Sequence, residues 1–109
     1  MSLPVKEVLK PMLDAVRASL AKDWKKVERY AKPEFDRLAR SLRDIAALAA
    51  EGAISAAEAR SLLSIHRNTT RTVLLTVEGM GVIAVEKAIN AALGAVKDAV
   101  NRAAGVTVL

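Results

Sequence analysis

The 109-residue sequence contains no cysteine and a single histidine, His66. The absence of cysteine excludes disulfides, thiolate nucleophiles and metal sites built on cysteine. His66 cannot form a zinc site of the common kind by itself, since such sites take several His or Cys ligands. No acidic residue in matching helical phase orients His66 toward the nearby serines, so no catalytic triad is indicated. We therefore expect a non-enzymatic protein with no catalytic residues, no cofactor and no metal.

Aromatic residues are also scarce. They make up 3% of the chain, although 52% of it is hydrophobic, and alanine dominates the remainder. A chain of this length forms one domain, residues 1–109, and buries at most about two thirds of its unfolded surface. A core of alanine and branched aliphatic side chains is thin, and a thin core favours association with another chain.

Neither half of the chain is strongly charged, although the net charge is +5. Basic residues are frequent over residues 22–43, but acidic residues four positions away neutralise some of them. This basic segment has neither interleaved aromatic residues nor a recognised nucleic-acid-reading motif. Nucleic acid is therefore the weakest of the binding alternatives.

The most apolar stretch is residues 73–96, where alanines recur at three- and four-residue steps beside a stripe of larger aliphatic residues. A helix that is apolar over such a wide arc is buried on more than one side, and small residues allow close approach of a second backbone. This pattern is typical of an ordinary core helix, and the alternative, on which our functional hypothesis depends, is a self-association face made of Met80, Ala84, Ala88, Ile89, Ala92, Leu93 and Val96.

Residues 72–85 allow a second interpretation. Thr72 and the following β-branched residues, the turn-forming Gly79 and Gly81, and the return segment 82–85 fit a β-hairpin. The helical phase nevertheless continues through both glycines, and a single Gly costs a helix only about 1 kcal/mol relative to Ala. We prefer one continuous helix over residues 55–104, and the hairpin remains the alternative.

The same stretch has the length of a membrane span. Its aliphatic residues contribute about −5 kcal/mol to insertion, whereas Glu86, Lys87 and Glu78 each cost about +2.5 to +3.5 kcal/mol when central. The charges disfavour a spanning helix. A helix that lies on a lipid surface remains open.

The first half of the chain shows two amphipathic segments. Residues 4–30 keep a helical apolar phase, with Pro11 inside and Trp24 as the one large anchor, so a kink or late start is expected near Pro11. Pro33 suits the first turn of a helix and predicts a second helix over residues 34–51. A bend in one long helix at Pro33 is the alternative.

The clearest local signal is Ser55 followed by Glu58, the pattern of a capping box that begins a helix. Gly52 before it suits a left-handed helix end. A reversal of the chain is therefore expected between the second and third helices, which should lie antiparallel. The last helix should end near Gly105, leaving residues 106–109 as an apolar tail that docks or pairs.

A polar cluster precedes the most apolar stretch. His66, Arg67 and Arg71 lie beside Asn68 and several threonines. These side chains form either a polar or anion-binding patch or a polar layer between helices that sets their register.

These patterns predict an all-α fold, a small bundle of three to four helices with a long alanine-rich C-terminal segment, completed by homo-oligomerisation. We expect an interaction or scaffold protein that acts through the self-associating helix face, with another copy or an unknown protein as partner. The alternative is a membrane-active protein that associates with a lipid surface. No secretory signal pattern is visible, so a cytoplasmic location is expected.

Overall fold

The computed structural model describes residues 3–109 and contains four α-helices, with no strand in that range. Helix α1 spans Val5–Leu20, α2 Trp24–Ala50, α3 Ala56–Leu75 and α4 Val82–Ala104, and a 3₁₀ turn, Ala21–Asp23, joins α1 to α2. The all-α class predicted from the sequence is confirmed. The molecule measures 41 × 22 × 17 Å, and its long axis follows the helices.

Short connections make each helix antiparallel to the one before it. The α1–α2 and α3–α4 turns lie at one end of the molecule, and the α2–α3 turn lies at the other. Helix α1 packs most extensively against α4, the last helix. Within the described residues, α1 and α3 do not contact each other. They therefore lie on opposite sides of the α2–α4 pair.

The core is a single cluster of aliphatic side chains with few aromatic members. Phe35 is fully buried, and Trp24 is almost completely buried, as its helical phase predicts. The indole Nε1 of Trp24 donates to a carboxylate oxygen of Glu28 at 2.9 Å, and the Arg17 guanidinium lies over the ring, 5.8 Å from its centroid. These contacts provide a polar partner for the buried indole N–H.

The predicted helix over residues 4–30 is wrong, because the chain reverses direction at the 3₁₀ turn. Leu20 and Trp24 lie on either side of the turn and both face the core. Because these two residues are four positions apart, the spacing of one helix face, the apolar phase runs across the turn and does not reveal the break. The residue that permits the turn, Ala21, adopts φ 51° and ψ −123°.

The predicted helix boundary at Pro33 is also wrong, because α2 continues through this proline. An interior proline costs a helix about 3 kcal/mol. Pro33 is exposed, so water reaches the backbone carbonyl that its missing N–H leaves free, while Ala31 and Phe35 are buried on the other face. Pro11 lies inside α1, which begins at Val5 without a late start.

The turn between α2 and α3 follows the prediction closely. Gly52 has φ 74°. The N–H groups of Gly52 and Ala53 donate to backbone carbonyls in the last turn of α2. The Ser55 hydroxyl accepts from the Glu58 N–H at 3.0 Å, and the Ser55 N–H donates to the Glu58 carboxylate at 2.9 Å. This backbone donor, aided by the Ser55 side chain, lowers the pKa of Glu58 below its ordinary 4.5.

The continuous helix predicted over residues 55–104 is wrong, and so is the hairpin alternative. A turn at residues 76–81 separates α3 from α4, and both flanking segments are helical. Gly79 has φ 93°, a backbone conformation that residues other than glycine rarely adopt. Met80 is buried and anchors the turn to the core. Gly79 and Gly81 lie in a turn, as the hairpin alternative predicts, but the segment after the turn is the helix α4 and not a strand.

The C-terminal tail docks on its own chain. Helix α4 ends at Ala104, and the next residue, Gly105, caps it with φ 73°. The Asn101 side chain accepts from the N–H groups of Val108 and Leu109 at 2.8 and 2.9 Å, and its amide donates to the Leu109 carbonyl at 3.2 Å. Val108 is buried as a result.

Candidate interaction surfaces

The predicted self-association face is not exposed in the folded chain. Ala84 is half-buried, and the other six positions are buried in the core of a single chain: Met80, Ala88, Ile89, Ala92, Leu93 and Val96. The stripe of small side chains lies where α4 packs against the other helices, and there it permits close approach within one chain. The assignment of this face to a second copy is corrected accordingly.

The predicted polar patch lies along the seam between α3 and α4. Arg67 donates to the Asn90 side chain, and Arg71 forms an ion pair with Glu86. Arg71 also donates to Asn68 at 2.9 Å. Within residues 3–109, Arg71 therefore has its charge balanced by a neighbouring helix, and the geometry matches a polar layer between helices. His66 is half-buried on α3, and helical spacing places it about 100–140° around the helix from the two arginines.

These polar contacts define the register of α3 against α4. On α3, Arg71 follows Arg67 by four residues. On α4, its partner Glu86 precedes Asn90, the partner of Arg67, by four residues, as expected for antiparallel helices. One further step of four residues on each helix places Leu75 opposite Val82. The seam thus has two polar rungs followed by one apolar rung beside the turn.

The apolar rung is largely exposed. Leu75 is 40% exposed, Val82 is 63% exposed and the adjacent Ile83 is 73% exposed. We call these three residues the turn patch. A groove next to the turn is lined by Lys26, Tyr30, Thr76, Val77 and Glu78, so the first turns of α2 lie beside it.

The outward side of α3 is nearly free of charge. Two shallow grooves run along it and share Ile65, which is 59% exposed. Glu58 is the single acid that lines them, and it is held in the capping box. We call this surface the α3 face. It consists of Ile54, Ala57, Ser61, Leu62, Ile65, Asn68, Thr69, Thr72 and Val73.

Arg60 and Arg67 turn away from this face, and Arg71 lies at its edge, where it contacts Asn68. Arg60 donates to the Thr107 carbonyl of the tail at 3.0 Å. Arg67 and Arg71 reach α4, as described above. The side of α3 that faces solvent is therefore left to small, hydroxyl and aliphatic side chains.

The opposite side of the molecule is basic. Lys6, Lys10 and Arg17 line a groove along α1 with two half-buried leucines. Lys10 pairs with Asp14 at 3.2 Å, but both side chains are well exposed, so this pair contributes little stability. Helix α2 adds further cations beside α1, including Arg29. Charge is thus concentrated on α1 and α2, away from the α3 face.

One carboxylate lies inside the fold. Glu34 on α2 is 3% exposed, and one of its oxygens accepts from the largely exposed Arg37 at 2.5 Å. The other oxygen is buried and has no hydrogen-bond partner among the described residues. The arrangement is a one-sided ion pair.

Neither a metal site nor a membrane-spanning helix is found over residues 3–109. No group of three or more metal-binding side chains comes together there. None of the helices in this range combines the length and the apolar character needed to cross a bilayer.

Comparisons with family models, curated proteins and solved structures find no match to this chain.

Sequence reasoning missed both exposed surfaces. Ile65 follows Leu62 at three residues, the spacing of a core-facing stripe, but the buried members of α3 lie on the other side of that helix. A signal was present, because no Lys, Arg or Asp interrupts the α3 face. The turn patch was hidden by the assumption that Leu75, Val82 and Ile83 belonged to one continuous helix.

Proposed function

We propose that this chain is a non-enzymatic interaction module that forms a homodimer through the α3 face. The observation that carries the proposal is a helix side about 20 residues long with one engaged acid and no exposed cation, in a protein of net charge +5. The predicted scaffold role is retained, and its surface moves from the alanines of α4 to α3.

Charge supports a second copy as the partner. Two molecules of net charge +5 repel each other wherever their basic sides meet. The α3 face lies on the side of the molecule away from α1, where no such repulsion arises. Two copies can therefore approach through this face without bringing like charges together.

The shape of the face suits contact between two helices. Ala57, Ser61, Thr69 and Thr72 are small enough to let two helix backbones approach closely. Ile65 lies at the middle of Ala56–Leu75. In a two-fold antiparallel contact only residues on the axis meet their own copy, so a dimer whose axis passes the middle of α3 packs the two Ile65 side chains together.

The test is the mass of the full chain in solution by size exclusion with light scattering over a wide concentration range. We expect a species of twice 11.6 kDa. Ile65→Glu should yield monomer, because two carboxylates would then face each other at the centre of the contact. Glu also forms helix at least as well as Ile, so the fold is retained.

The matched control is Ile83→Glu, which makes the same substitution at an exposed isoleucine outside the α3 face. This variant should remain dimeric. A wild-type chain that stays monomeric throughout, or a dimer that survives Ile65→Glu, would show that the α3 face does not mediate self-association.

A further inference from the structure

We propose that the turn patch binds the surface of a bilayer that contains anionic lipids. This inference concerns a different surface from the α3 face and does not depend on the dimer. The patch places three aliphatic side chains, Leu75, Val82 and Ile83, at one end of the molecule with large exposed fractions. Among the turn residues 76–81, Glu78 alone is charged, and it lies in the groove that Lys26 also lines.

The helix register explains why this end is apolar. Farther along the α3–α4 seam, Asn90 accepts a hydrogen bond from Arg67, and Glu86 forms an ion pair with Arg71. The last rung, Leu75 with Val82, has no polar group and no further helix to cover it. Insertion of such an end among lipid headgroups removes these side chains from water without burying a polar partner.

The same end of the molecule carries most of the positive charge. Residues 17–32, which comprise the last turn of α1, the 3₁₀ turn and the first turns of α2, contain six Lys or Arg and two acids. Residues 75–87 contain two acids and one Lys, so this end has +3 of the net +5. Lys26 lies in the groove beside Val77 and Glu78, which links the basic segment to the turn.

An apolar tip beside an excess of cations matches the chemistry of an anionic lipid surface. The aliphatic side chains reach the boundary of the acyl region while the cations meet the headgroups, and each Lys or Arg near the surface strengthens binding about fivefold. An acidic groove on another protein could also pair with these cations, but a chain that binds only such a partner would not sediment with vesicles.

Co-sedimentation of the full chain with vesicles tests the inference. One set contains phosphatidylcholine alone, and the other contains about 30% phosphatidylserine at low ionic strength. We expect binding to the anionic vesicles only, and marked weakening when salt is raised to about 0.5 M. Ile83→Glu should weaken binding at least about tenfold through the loss of its apolar contact.

Two controls keep the result interpretable. Val82→Glu should act like Ile83→Glu, and both place an acid in the first turn of α4, where the helix dipole favours it and the fold is retained. Ile65→Glu should bind vesicles as the wild type does. In the antiparallel dimer the two turn patches point in opposite directions, so loss of the dimer removes no contact with a flat membrane.

The inference is overturned if the chain does not sediment with anionic vesicles at low salt, or if it binds neutral vesicles equally well. Unchanged binding by folded Ile83→Glu and Val82→Glu variants would also overturn it. Light scattering of the same variants reports the dimer separately, so failure of the lipid inference and failure of the dimer are distinguishable.

Discussion

Replacement of Ala21 by glycine should stabilise the protein. Ala21 is the one non-glycine residue with positive φ among residues 3–109. Its φ of 51° and ψ of −123° correspond to the first central position of a type II′ turn, which favours glycine. An alanine held there is strained, because its Cβ crowds the backbone.

The magnitude follows from two opposing terms. Removal of the Cβ relieves roughly 1–2 kcal/mol of strain in the folded chain. Glycine also gains conformational freedom in the unfolded chain, which costs about 0.5–1 kcal/mol. The net gain in the free energy of unfolding is about 0.5–1 kcal/mol, and the expected rise in Tm is about 2–5 °C.

Thermal and urea unfolding followed by circular dichroism measure this gain. Ala18→Gly is the matched control, because Ala18 is exposed inside α1, three residues before the turn. Glycine there should lower stability by about 1 kcal/mol. The two variants should therefore move Tm in opposite directions, and a drop in both would refute the strained turn.

Two further predictions concern the core and the α2–α3 turn. Ala92→Leu should destabilise the folded chain by about 1–3 kcal/mol through overpacking, because Ala92 is fully buried. The mass of this variant in light scattering should equal that of the wild type. Dissociation without loss of stability would show instead that the alanines of α4 mediate self-association. Because the folded-state pKa of Glu58 is lowered, its ionised carboxylate stabilises the fold above pH 4.5, and this contribution is lost as the pH falls through the lowered value. Urea unfolding of wild type and Glu58→Gln across this range should therefore show a difference near neutral pH that vanishes in acid, and a constant difference would contradict the assignment.

Local signals in the sequence predicted the helix ends that depend on backbone chemistry. Ser55 with Glu58 and the glycines at 52 and 105 act within a few residues, so their effect does not depend on the rest of the fold. The reversal at Ala21 lacked such a signal, because alanine occupies a position that glycine would have marked. Pro33 gave a false signal, since the burial on the opposite face of α2 offsets its cost.

The interaction surfaces depended on information that periodicity does not contain. The phase of Ala88 and Ala92 shows that one side of α4 is buried, but it cannot show whether the neighbour is the same chain or another copy. Helix α1 lies about 70 residues away in the sequence and packs on α4. The exposure of Ile65 and Ile83 became evident only once the order of the helices around the core was known.

The extensive packing of α1 against α4 has a consequence for the order of folding. The two helices are the first and the last within residues 3–109, so their contacts have the largest sequence separation of any helix pair in this range. The α2–α3 hairpin, with its local capping signals, can form while the chain is still being synthesised, whereas the part of the apolar side of α1 that packs on α4 stays uncovered until α4 has left the ribosome. The final helix thus completes the core, and an arrested chain that lacks it would present the leucines and valines of α1 to chaperones.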